Sequence, residues 1–211
     1  CICHDIGYSN RSYALNTKAQ VAFSALYKDQ PVLEIFDCSS IINILSKPTC
    51  NILSGMDNSQ LTEFWRLLID IILANDVSNR MKLVSEIDLK LHRSNGEFDL
   101  SDQQSREMLL KLLVKCATHA NLARAFDPSK SWSISVAEES LPRVDSRAEE
   151  TFVTINDSDI KVANEQVKFI ESTYAPLFGT LGNVVADLKL IEKQVLENLE
   201  KWKEIVDETK K

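Results

Sequence analysis

Helix-breaking residues are scarce in this chain: five glycines and five prolines in 211 residues. Proline ends or kinks a helix and an interior glycine weakens it, so a chain punctuated this sparsely runs to long helices. No stretch alternates apolar and polar residues as a half-buried strand does. The expected fold class is all-α.

The periodic stretches place the helices. Residues 61–77, LTEFWRLLIDIILANDV, carry apolar side chains at 61, 64, 65, 68 and 72, and others at 67, 69 and 71 widen the stripe almost all round. That pattern predicts a buried helix, N-capped by Asp57, Asn58 or Ser59. Ser101 and Gln104 have capping-box spacing before a second helix, whose apolar face carries Leu109, Leu112, Leu113, Cys116 and Ala117. The stretch 94–103, SNGEFDLSDQ, reads as a turn-rich connection, and the polar stretch 140–160, with Pro142, as a mobile surface loop. A further helix is expected over 162–178, bent or ended near Pro176. In the tail, Val184, Leu188, Ile191, Val195, Trp202 and Ile205 fall on heptad spacing, with the polar Asn198 on the seam. About three heptads is short for a free-standing coiled coil, which favours a helix docked on its own domain. The rival is a homodimer in which Asn198 sets the register.

Charge and cysteine usage narrow the function. The net charge of −7 argues against a nucleic-acid or anionic-membrane surface, which needs a basic face. Five cysteines, an odd number with no C-x-x-C spacing, fit a reduced intracellular protein better than a disulfide framework or a zinc cluster. The longest apolar run, 67–74, contains Asp70 and is too short to span a bilayer. No signal peptide is visible, and an intracellular, cytoplasmic location is expected, with membrane attachment through regions outside this chain as the alternative.

Four stretches carry the chemistry. They are CHDIGYSN (3–10) with LNTKAQVAF and VLEIF after it, IDIILANDVSNRM (69–81), LVKCATHAN (113–121) followed by Trp132, and EQVKFIESTYAPLF (165–178). In this order they resemble the catalytic domain of the class I cyclic-nucleotide phosphodiesterases. That family reads A-x-C-H-D-x-x-H-x-G, then V-L-E-N-H-H, L-A-T-D-M-S-K-H, C-A-D-L-S-N-P and S-Q-V-x-F-I, with P-L-W following. The resemblance implies a multi-helix, HD-type domain over 1–182, truncated on its N-terminal side, and a heptad-patterned helix over 183–211. It also implies helices before Cys1 that carry the proton-donor histidine.

The resemblance further implies metal-dependent hydrolysis of cyclic AMP or cyclic GMP to the 5′-monophosphate in signal transduction. Two divalent ions would bring hydroxide and an anionic phosphate together, a zinc-like ion in the first site and magnesium or manganese in the second. His4 would ligate the first metal and Asp5 would bridge both. Glu34 matches the glutamate that holds metal-bound water. Asn121, Gln166 and Phe169 match residues at the base, with Gln166 hydrogen-bonding the purine and Phe169 stacking on it.

Departures from the family pattern gather on the metal side. The second metal-ligating aspartate is Thr118, and the adjacent His119 points about 100° away on an ideal helix. Tyr8 stands for a histidine, Asn75 for the threonine before Asp76, Arg80 for a histidine, and Phe36 and Asp37 for the N-H-H pair. Glu34, Asp76 and Thr118 are therefore metal-water or degraded metal positions. The alternative function is a catalytically impaired domain that binds nucleotide or a partner and regulates.

Overall fold

A computed structural model of the chain describes residue 6 and residues 31–76, 80–140 and 155–208. His4, Asp5 and Tyr8 lie outside the described residues, as does 141–154 of the expected loop. The described residues are helical, with no strand among them. They form α1 (Val32–Leu45), α2 (Asn58–Leu73), α3 (Arg80–Arg93), α4 (Gln103–Thr118), a 3₁₀ turn (Ala120–Ala123) and α5 (Phe126–Ser140). Then come α6 (Ile155–Phe169), a π-helical turn (Ile170–Tyr174), α7 (Ala175–Val184), a short 3₁₀ turn (Ala186–Leu188) and α8 (Lys189–Glu208). The chain divides into two compact units, the first within 1–90 and 98–118, the second within 91–97 and 119–211.

In the first unit α1 packs on α2, and α2 on α4. Cys38, Ile41 and Ile72 are buried at the α1–α2 seam, with Leu45, Trp65, Leu68 and Ile69 packed against them. Asp57 supplies the N-cap of α2. Its carboxylate accepts from Gln60 N at 2.9 Å while Gln60 Oε1 accepts from Asp57 N at 3.0 Å, a complete capping box. The helix ends four residues earlier than its apolar pattern predicts. Ala74 N donates to Asp70 O, and Asn75 N then donates to Ile72 O, a tighter turn that closes the helix. Ile72 is buried and the rest of the wide stripe half-buried, because α2 meets one helix on each side. Arg66 fastens α2 to α4, reaching Glu63 at 2.7 Å and Glu107 at 2.5 Å.

The cap of α4 is Asp102, one residue after the expected Ser101. Its carboxylate accepts from Gln104 N, from Ser105 N and from Ser105 Oγ, and pairs with Lys90 Nζ at 2.6 Å. The turn after α3 is made by Asn95 and Gly96 at positive φ, 56° and 91°. Gly96 N returns to Leu91 O at 2.8 Å, closing the helix end as a left-handed cap does.

In the second unit α8 is the central packing element, meeting α7, α6, α5 and all three turns. Its face of Val195, Asn198, Leu199, Trp202 and Val206 is buried against its own chain. The heptad seam therefore docks the helix, and the face a coiled-coil homodimer needs is already covered. Asn198 sets no register between copies: it is fully buried and bonds backbone carbonyls instead. The expected helix over 162–178 is two helices. α6 begins at Ile155, inside the stretch read as loop, and runs into the π turn, while Pro176 lies in the first turn of α7 rather than breaking α6. Among the described residues no helix is long and apolar enough to cross a membrane.

Candidate functional site

The metal-side candidates lie in the first unit. Glu34 is half-buried on α1, and Asp37, one turn on, is buried at 5% exposure. Residues three and four apart share a helix face, so Glu34, Asp37 and Cys38 sit together. Burial pushes the Cys38 thiol up to about 11, helped by the negative charges of Asp37 and Glu34. Asp76 follows the turn that ends α2, and its backbone carbonyl accepts from Lys115 Nζ at 3.3 Å. Lys115, on α4, is 2% exposed. This lysine holds the Asp76 segment to the helix that ends in Thr118.

Thr118 does not take the place of a carboxylate. Its hydroxyl donates to Lys115 O at 2.8 Å, one turn back along its own helix. His119 does not rescue the position either, since its ring packs on Tyr174, centroids 4.7 Å apart. Among the described residues no three His, Cys, Asp or Glu side chains come together to hold a metal ion. Glu34, Asp76 and Thr118 thus share a unit without forming a donor set of their own.

The base-side candidates lie in the second unit. Gln166 and Phe169 are three residues apart near the end of α6, on one face. Gln166 is half-buried and Phe169 is 51% exposed, an aromatic ring open to solvent rather than spent in the core. The π turn begins immediately after Phe169; such turns interrupt helices frequently at functional sites. Asn121, half-buried, lies on the 3₁₀ turn. Tyr174, the last residue of the π turn, packs on His119, which opens the 3₁₀ turn, so the segments bearing Phe169 and Asn121 are tied together.

Sequence reasoning missed what holds Asn121's turn. Asn198 Nδ2 donates to Leu122 O at 2.9 Å and to Arg124 O at 2.8 Å, while its Oδ1 accepts from Gln194 Nε2 at 3.2 Å. A polar residue on an apolar heptad seam was the only signal for it in the sequence.

Two clefts stand apart from these positions. One of about 270 Å³ in the first unit sets Lys82, Lys111 and Lys115 against Asp70 and Glu86. One of about 520 Å³ in the second is lined by Leu91, His92, Asn95, Gly96 and Asn183. None of the residues predicted from the sequence lines either.

The described residues are all helical, and comparison with known proteins places the chain in a family. The chain belongs to the 3′5′-cyclic nucleotide phosphodiesterase family, whose model matches residues 1–195. It is 27% identical to the 3′,5′-cyclic-nucleotide phosphodiesterase regA of Dictyostelium discoideum, over 96% of this chain and 26% of that protein. It is 26% identical to the high affinity cGMP-specific 3′,5′-cyclic phosphodiesterase 9A of Homo sapiens, over 97% of this chain and 34% of that one. The crystal structure of the phosphodiesterase domain of the Salpingoeca rosetta rhodopsin phosphodiesterase matches it with a TM-score of 0.83 at 21% identity. That match covers 99% of this chain and 65% of the other, and bears out the all-α fold. The chain spans about a quarter to a third of the length of these curated relatives. The family is metal-dependent in general.

Proposed function

We propose that the protein hydrolyses 3′,5′-cyclic nucleotides to 5′-monophosphates, inside the cell, and that this chain carries the base-recognising part of its site. The observation that supports this reading best is the family match over residues 1–195, a span that takes in all four motif stretches. Phe169 would stack on the base. Gln166 would pair with the base edge; its amide offers a donor and an acceptor, so it suits adenine in one orientation and guanine in the other. Asn121 would line the same recess.

The metal ligands are assigned by resemblance: His4 and Asp5, with Glu34 and Asp76 contributing through water. A zinc-like ion in the first position and magnesium or manganese in the second match those donor types. The described residues alone do not fit such a centre, since Thr118 spends its hydroxyl on Lys115 O and no three-donor group forms among them.

That mismatch favours a second reading, in which the domain binds cyclic nucleotide without turning it over and acts as a regulator. One experiment separates the two. The full-length protein is supplied with magnesium, manganese and zinc, and both binding and hydrolysis of cyclic AMP and cyclic GMP are measured. Turnover that disappears on His4→Ala or Asp5→Ala supports the hydrolase. Binding without turnover refutes hydrolysis and leaves the regulatory reading.

A further inference from the structure

We propose that Asn198 of α8 is a positioning residue for nucleotide recognition, holding the turn 120–124 so that Asn121 faces the base. The proposal rests on the base-side reading given above. It concerns a residue beyond the segment that the family model matches, which ends at 195.

Backbone bonds close the turn at its two ends, Leu122 N to His119 O at 3.1 Å and Arg124 N to Asn121 O at a long 3.3 Å. Leu122 is its one buried apolar anchor, at 3% exposure. Asn198 supplies the two shorter bonds, 2.9 and 2.8 Å, to carbonyls 76 and 74 residues away. A single NH₂ group spanning Leu122 O and Arg124 O fixes the direction of the peptide units between them, and Asn121 immediately precedes that span. Gln194 Nε2 holds the other end of the amide, so the NH₂ cannot turn away without breaking a third bond. Neighbouring packing sets the depth of the amide. Val195 and Leu199 are buried on either side of it, and the Trp202 ring stacks edge-on against Phe126, two residues past the turn, at 5.2 Å. A helix that only needed docking would be served by leucine at this position.

The test measures equilibrium binding of cyclic AMP and cyclic GMP to the full-length protein, with backbone amide exchange read at Leu122 and Arg124. The variants are Asn121→Ala, Asn198→Leu, the two combined, Gln194→Ala, and Leu190→Ala on the exposed face of α8. Asn198→Leu is expected to weaken binding about tenfold and to speed exchange at both amides, since one buried and one part-buried carbonyl lose their donor. Leu190→Ala is expected to leave binding unaltered. In the Asn121→Ala background Asn198→Leu is expected to add little further loss, because both changes remove the same contact.

Full additivity of the two losses, or unaltered binding in Asn198→Leu while Asn121→Ala weakens it, overturns the proposal and leaves the functional reading intact. If Asn121→Ala has no effect while Gln166→Ala weakens binding, nucleotide recognition stands and the proposal falls. If the unaltered protein binds neither nucleotide, the functional reading fails and the proposal with it. Should Asn198→Leu not fold, Gln194→Ala decides. Weaker binding with faster exchange, in the same direction and smaller, supports the clamp, and unaltered binding overturns it.

Discussion

Thr118→Asp puts the missing carboxylate back, and its effects on stability and on metal binding have opposite signs. The threonine hydroxyl donates to Lys115 O at 2.8 Å. Aspartate has no proton to give there, so the variant loses one partly buried hydrogen bond, worth about 1 kcal/mol net. For a chain of this size that lowers the metal-free Tm by about 2–4 °C. The added ligand works the other way once metal is present. A tenfold gain in affinity is about 1.4 kcal/mol. Under saturating metal it should raise the variant's Tm by about 3–6 °C more than the unaltered protein gains. Calorimetry of the full-length protein with and without manganese or zinc reads both numbers, and metal content after dialysis reads the second independently. Equal metal-induced rises in the two proteins would refute the reasoning, because position 118 would then not face the ion. A rise in the metal-free Tm would refute it differently. It would mean the new carboxylate pairs with the buried Lys115, one turn back on α4, and is not available to a metal at all.

Three further outcomes follow from the same geometry. Phe169→Ala should weaken cyclic-nucleotide binding about tenfold or more, the scale of one lost base stack. It should barely move Tm, since the ring is half exposed; an unaltered Kd would remove Phe169 from the site. At pH 8, iodoacetamide should modify the exposed Cys50 before Cys38 and Cys116, which are buried. Desolvation pushes the Cys38 thiol up to about 11 and the Cys116 thiol up to about 12, leaving almost no thiolate; peptide mass spectra showing early label on Cys38 or Cys116 would contradict this. The Lys90 ammonium, then the Ser105 hydroxyl, hold the Asp102 carboxyl well below the usual carboxylate range. Its stabilisation is thus complete above the unfolded value of about 3.9 and is lost as pH falls below it. The Tm gap between the unaltered protein and Asp102→Asn should therefore hold steady above about pH 5 and narrow below about pH 4, and a gap that persists into strong acid would count against the pairing.

Local patterns in this sequence state local structure well and non-local structure poorly. The α2 cap and the Asn95–Gly96 turn depend on residues within a few positions of one another, so the sequence offers Asp57 among three cap candidates and marks 94–103 as turn-rich, while the Gln60 half of the box is seen only in the structure. Ser101 against Asp102 shows the limit of that, since both offer an oxygen near the helix start, and it is the aspartate that takes the Ser105 hydroxyl and the Lys90 ammonium as well as the amides. The early end of α2 and the π turn after Phe169 leave no trace in hydrophobic spacing, which the apolar residues continue straight through. On the candidate site, the sequence marks Asn121, Gln166 and Phe169 by motif, and the structure gives them a half-buried turn and an open ring. It marks Thr118 as a lost ligand, and the structure shows where its hydroxyl goes instead. It could not mark Asn198 as a clamp, because the carbonyls it serves are 74 and 76 residues away.

The two sets of candidates differ in what their local structure asks of them. On the metal side a neutral threonine stands where the family has an aspartate: Thr118 satisfies its own helix, and the neighbouring His119 packs on a tyrosine. On the base side the local structure carries a cost that docking alone does not explain. Val195, Leu199 and Trp202 already bury the apolar face of α8. Inserting a fully desolvated amide among them is unfavourable unless each of its polar atoms is paired. Here each is paired, and two of the three bonds go to the turn that bears Asn121. A second unit built only to fold would gain as much from a leucine at 198 and a differently closed turn. An amide at 198 is what a unit needs when the direction of one short turn matters, and in this chain that turn is the one the family motif assigns to the base.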